Sequence, residues 1–235
     1  MDRKMNQSVE KAYNYLLNAI ISFELPPEQP LSYCQIAKQL ELSRSPVRDA
    51  IMLLQGDGLA AVQNGKTIVA PMTMDDVIDI LNVRIALECE CIRIIAENGW
   101  LSAEQEEKMK SLHNGIVEFQ SADNLSAHYD ADDRFHCALI GYAGSARIIR
   151  ITDQLRLQMQ RVRWLNRAVP ERMTATIAEH ETLLDAIVRH NEHDAIAAMR
   201  THLKNSEESF RNVLNDESAK CFARAMNSFL SPNSN

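Results

Sequence analysis

In the stretch NLSAHYDADDRFHCALIGYA, Asp132 and His136 stand four residues apart, and two more histidines, His180 and His202, follow in later segments. Four residues is close to one helical turn, so carboxylate and imidazole stack on one face. Those groups are the donors that Zn, Ni and similar divalent ions take, and helical bundles build such sites from facing helices. Four protein donors close a tetrahedral Zn site but leave positions open on an octahedral ion. A hydrogen-bonded polar core uses the same residue types, and the spacing leaves both readings open. A small metal-dependent hydrolase is a third use of the set. Against an enzyme, no separate general base and no glycine-rich phosphate loop accompany these residues.

A second chemistry lies near the start, in SRSPVRDAI. Arg44 and Arg48 share one helical face, opposed to the apolar pair Val47 and Ile51. In a helix that enters a major groove, both guanidinium groups reach base edges or phosphates, and Arg reads guanine through two parallel hydrogen bonds. Ser45 adds a short hydroxyl beside them. Asn64, Gly65 and Lys66 then put a small residue and a cation where the chain reverses. The plainer reading is a solvated polar surface.

The elements that must position these groups follow from periodicity. Val9, Tyr13, Leu16, Leu17, Ile20 and Ile21 mark a first amphipathic helix. Ser32 with Gln35 starts a short second one carrying Ile36, Ala37 and Leu40. Ser43 caps a third, with Pro46 in its first turn and Val47, Ala50, Ile51 and Leu54 inside. The segment LAAVQNGKTIVA reads as strand, Asn-Gly turn, strand. Three helices and a small hairpin make a winged helix-turn-helix. Glycine and proline cluster up to Pro71 and then almost vanish until Gly141, which marks a head of residues 1–72 and a helical body of 73–230. The fold class is mainly α: the winged head followed by an all-α antiparallel bundle.

In the body, residues 75–97 carry Val77, Ile80, Leu81, Ile85, Ile92 and Ile95 on one face, with Arg84 and Glu88 near its centre. A buried ion pair is the leading reading for those two. Leu125, Phe135, Leu139 and Ile140 define the stripe from which Asp132 and His136 project, with Asp133 at its edge. His180 sits within a stripe of Met173, Ile177, Leu184 and Ile187. After Asn191, His202 falls on the inner side of Ala195, Met199 and Phe210.

The chain has 235 residues and a formal charge of −7. Residues 1–72 carry seven basic and seven acidic side chains, so all the excess acid lies in the body. A neutral head binds DNA if its cations gather on one face. Cys34, Cys89, Cys91, Cys137 and Cys221 form no CxxC pair and read as reduced, mostly buried thiols. No apolar run has the length of a membrane span and the first residues lack a signal-peptide core, so the expected location is the cytoplasm, away from membranes. The closing SPNSN is expected to be disordered.

The run LSYCQIAKQLELSRSPVRDAIMLLQGDGLAAVQNGKTIVA resembles the winged helix-turn-helix of the GntR family of transcription regulators. Position by position, the resemblance implies DNA contacts by Arg44, Ser45 and Arg48 and a wing-tip glycine at Gly65. Cys34, Tyr33 and Asn64 depart from residues usual in the family. The segments DDRFHCALIGYAG, EHETLLDAI and AAMRTHL look like the FCD ligand-binding domain of the FadR-like subfamily. That likeness implies a divalent metal, Zn or Ni foremost, on Asp132, His136, His180 and His202, and a small carboxylate effector that Arg84 helps to hold. It implies a homodimer on a palindromic double-stranded operator, acting as a repressor or activator. A constitutive regulator with a purely structural metal is the remaining alternative.

Overall fold

Asn6 accepts a hydrogen bond from Ser8 N and opens helix α1, Gln7–Ile21. In the computed structural model the described residues are 6–119, 125–165 and 170–215. The side chain of Leu125, Cys221 and the SPNSN tail lie outside them. Ser32 Oγ accepts from Gln35 N at the start of α2, Tyr33–Leu40. Ser43 holds the N-cap position of α3, Arg44–Gly56, but its side chain makes no capping bond. Strands β1, Ala60–Gln63, and β2, Lys66–Val69, pair antiparallel, with Ala60 opposite Val69 and Gln63 opposite Lys66. The two turn residues take positive φ, 51° at Asn64 and 74° at Gly65. That is the backbone of a tight hairpin turn, and it is why glycine suits the second position.

The remaining elements are helical: α4 Met74–Glu97, α5 Ala103–Glu118, α6 Leu125–Tyr142, α7 Ala146–Leu165, α8 Pro170–Val188 and α9 Glu192–Asn215. Ser102 and Gln105 form a complete capping box on α5. Among the described residues these nine helices and one hairpin match the mainly helical architecture expected, a winged helix-turn-helix followed by a helical domain.

The chain divides into two compact units. One runs to Thr73 and also contains Leu157–Trp164 of α7; the other contains Met74–Arg156 and continues from Leu165. In the first, Leu16, Ile20, Ile36, Val47, Ile51, Leu54, Leu59 and Val69 form one buried core. Arg161 is buried there and donates to the Ala70 carbonyl at 2.8 Å. In the second, α4 packs on both α9 and α6, and α8 packs on α9. This explains why α4 buries Cys89 and Cys91 although they point to different sides. Cys34 and Cys137 are exposed, contrary to the expectation of mostly buried thiols. Each lies off its helix's inward stripe, one position from a residue that faces in.

Candidate functional site

The second unit brings Asp132 and His136 of α6, His180 of α8 and His202 of α9 into one buried cluster. One ligand-type atom from each lies within 4.8 Å of all the others. His180 Nε2 is 3.2 Å from His136 Nε2 and 3.5 Å from Asp132 Oδ1, and His136 Nε2 is 3.7 Å from the same oxygen. Phe135 stacks on His180 with ring centroids 4.5 Å apart.

Hydrogen bonds behind the rings decide which nitrogens face the centre. His136 Nδ1 is 2.6 Å from Glu88 Oε2, and Arg84 Nε donates to Glu88 Oε1 at 2.7 Å. Burial alone would raise the Glu88 carboxyl, but Arg84 and His136 outweigh it and hold it down at about 2. An ionised carboxylate only accepts, so His136 carries its proton on Nδ1 and turns an Nε2 lone pair inward. The same logic holds for His202, whose Nδ1 is 2.8 Å from Glu179 Oε2. Glu179 receives both terminal nitrogens of Arg172, at 2.8 and 2.7 Å, and Asn205 Nδ2 at 2.7 Å. Burial, offset by these partners, leaves its carboxyl at about 2. Burial first, and then neighbouring His202, keeps His180 well below the ordinary imidazole range; burial also lowers His202.

Two imidazoles whose Nδ1 atoms are held by carboxylates, a third imidazole and the Asp132 carboxylate, gathered within 4.8 Å, are a donor set for a divalent cation. His136 Nε2, left as an acceptor, has His180 Nε2 at 3.2 Å, a hydrogen bond only in the His180 tautomer protonated at that nitrogen. Buried His180 Nδ1 has no hydrogen-bond partner, so among the described residues the cluster does not close as a hydrogen-bonded polar core. The residues present therefore fit a metal.

Periodicity assigns Arg84 to the interior, and it is buried. It braces Glu88 behind His136 rather than joining the four-residue cluster. Glu179, Arg172 and Asn205 escape a reading of the sequence. Glu179 points off the His180 face of its own helix, and its partner His202 stands on another. The one legible signal was the spacing of Arg172 and Glu179, seven residues or two turns apart on one face. Asp133 is buried but outside the cluster, and Arg156 NH1 approaches it at 3.9 Å.

In the first unit, α3 buries Val47, Ala50, Ile51 and Leu54 and exposes Arg44, Ser45 and Arg48. The Arg48 side chain is 65% exposed, with its Nε 3.8 Å from Asp49 Oδ1. Gly65 and Lys66 are exposed at the hairpin tip, and a Cβ built on Gly65 meets nothing within 4 Å. These are two cationic outposts, a helix face and a wing tip, on one compact unit.

Comparison with known proteins follows the same division. Residues 8–69 match the bacterial regulatory proteins of the gntR family, and residues 79–205 match the FCD domain. The chain is 25% identical over 212 residues to the uncharacterized HTH-type transcriptional regulator YdhC of Bacillus subtilis strain 168, covering 87% of this chain and 91% of that protein. It is 24% identical over 214 residues to the HTH-type transcriptional repressor RspR of Escherichia coli K12, covering 89% and 91%. The structure of E. coli McbR/YncC shares the fold, with a TM-score of 0.73 at 18% identity over 90% of this chain and all of that one. The relatives are transcriptional regulators rather than enzymes.

Proposed function

Because the chain belongs to the gntR family of transcriptional regulators and carries an FCD domain, we propose that it is a sensor whose operator affinity is set by a small carboxylate at a metal site. In this reading residues 1–72 form the DNA-binding domain and residues 73–230 the effector and dimerisation domain. The protein acts as a cytoplasmic homodimer on a palindromic operator, because two equivalent reading helices multiply the discrimination of one. Among the described residues no helix is long and apolar enough to cross a membrane. Repression is the favoured outcome, in line with the repressors named among its relatives.

Arg44, Ser45 and Arg48 read the major groove, and Gly65 lets the wing approach the backbone closely enough for Lys66 to meet a phosphate. Asp132, His136, His180 and His202 hold the metal, with Zn or Ni best suited to three imidazoles and one carboxylate. When bound, the ion supplies a Lewis-acid anchor for the effector carboxylate. Glu88 and Glu179 keep the Nδ1 protons of His136 and His202 in place, so the Nε2 lone pairs stay available. Arg84 holds Glu88 ionised, and in this reading its charge also helps to hold the effector carboxylate. By linkage, whatever factor the effector imposes on DNA affinity, DNA imposes on effector affinity.

The convergence of four buried donors from three helices carries this reading. Elemental mass spectrometry of untagged protein tests it, beside His202→Ala. About one Zn or Ni per chain, lost in the variant, is the expected result. Binding to operator DNA is then measured with and without small mono- and dicarboxylates. Metal-bound protein whose DNA affinity no carboxylate alters would favour a structural metal instead.

A further inference from the structure

Strand β2 of the wing is hydrogen-bonded on both edges only as far as Thr67. On one side β2 pairs with β1. On the other it pairs with residues 28–31: Glu28 N donates to Val69 O at 3.0 Å, Val69 N to Gln29 O at 2.9 Å, and Leu31 N to Thr67 O at 2.8 Å. There the second edge ends, because the next residue, Ser32, turns away to cap α2. The hydrophobic core runs out at the same rung. Ala60 and Val69 are buried in it, but Val62, which faces Thr67 on the same side of the hairpin, is 65% exposed. Beyond lie only the Gln63–Lys66 rung and the Asn64-Gly65 turn, all exposed. A bare two-stranded ribbon is marginally stable in water, so its tip goes where the last supported rung sends it.

At that rung a side chain from another element steps in. Tyr33, the first residue of α2, packs against the head core and sets its hydroxyl 2.8 Å from Thr67 Oγ1. Thr67 is thus held twice, through its carbonyl by Leu31 and through its side chain by Tyr33. Helix α2 in turn shares one core with α3, through Ile36, Ala37 and Leu40 against Val47, Ala50 and Ile51. A chain of rigid contacts therefore runs from the α3 face that carries Arg44 and Arg48, through α2 and Tyr33, to Thr67, the residue after the free tip. We infer that Tyr33 and Thr67 form a latch that positions Lys66 relative to the reading helix, so that wing and helix meet one DNA duplex in fixed register. This rests on the assignment of that face and tip to DNA. Tyr33 is a positioning residue: it acts through Lys66 and need not touch DNA.

The test uses the full-length protein and duplexes enriched by the wild-type chain from a random pool, with fluorescence anisotropy between about 50 and 200 mM salt. Tyr33→Phe and Thr67→Val each remove one hydroxyl from a partly exposed pair and should leave thermal melting little changed. Each is expected to weaken binding roughly three- to tenfold. Each should also flatten the log–log salt dependence by up to about one unit, as loss of one phosphate contact does. The double variant should be no weaker than either single one, and Thr67→Ser, which keeps the hydroxyl, should bind like wild type. Wild-type affinity and slope in both single variants overturn the latch. So does weakened binding at an unchanged slope, the mark of simple destabilisation. Arg48→Ala separates the two levels of the argument: if it binds normally, the DNA-reading assignment falls and the latch with it. If it fails to bind while both latch variants bind normally, the latch alone falls.

Discussion

Glu88 Oε2 lies 2.6 Å from His136 Nδ1 while its other oxygen receives Arg84 Nε at 2.7 Å. One buried carboxylate thereby sets the tautomer of an imidazole and neutralises an arginine. Removing it disturbs both, and the two effects are separable by the choice of substitution.

Glu88→Gln keeps an acceptor for one partner but no longer compels a proton onto His136 Nδ1. Metal affinity should fall roughly 10- to 100-fold, the usual effect of losing such a partner, as read by competition against a chromophoric chelator. Glu88→Ala also strands the Arg84 guanidinium, which should cost about 3–5 kcal/mol of stability in denaturant titration. Unchanged metal affinity in Glu88→Gln would remove Glu88 from the site.

Acid should release the metal and loosen the metal-free fold. The unfolded chain takes up a proton on each imidazole near about pH 6.5. In the folded protein burial, then the neighbouring histidines, hold His180 well below that value, and burial lowers His202 as well. Their contribution to stability is therefore full above about pH 6.5 and is lost as the pH falls, by at most about 1.4 kcal/mol per unit for each ring. Metal affinity should decline over the same range, since protons compete for the same lone pairs. Denaturant melts and metal titrations between about pH 7.5 and 5 check both, and a flat profile contradicts the arrangement.

Phe135 is fully buried and stacks on His180. Phe135→Ala should cost about 3–5 kcal/mol through the cavity it leaves. Phe135→Leu should cost less stability yet free the His180 ring to turn, lowering metal affinity more than melting temperature. A leucine variant that binds metal like wild type would show that the stack packs the core without orienting the ligand.

Arg48→Ala and Lys66→Ala should differ in kind. Loss of Arg48, whose side chain is largely exposed, should cost about 1–3 kcal/mol and relax preference at one base position. Loss of Lys66 should weaken binding to all sequences alike and reduce the salt slope by about one. Selection from random duplexes, followed by titration in salt, distinguishes them. Identical sequence preference in Arg48→Ala would place that residue on a phosphate instead.

Much of this protein is legible in one dimension because its elements are regular. A period near 3.6 told which way Val47 and Ile51 face, hence that Arg44 and Arg48 face the other way, and both orientations are found. The same period turned Asp132, His136, His180 and His202 inward, and Asn64-Gly65 marked the hairpin through the positive φ that both residues adopt. Periodicity reports direction around a helix's own axis and nothing about what stands opposite. That Glu179 serves His202 rather than its sequence neighbour His180, that the Arg84–Glu88 pair expected from its spacing stands behind His136, and that Tyr33 reaches Thr67 are facts of packing between separate elements. Only tertiary structure decides them. A hydrogen bond needs its two atoms within about 3 Å, and that distance is set by how whole helices seat against one another.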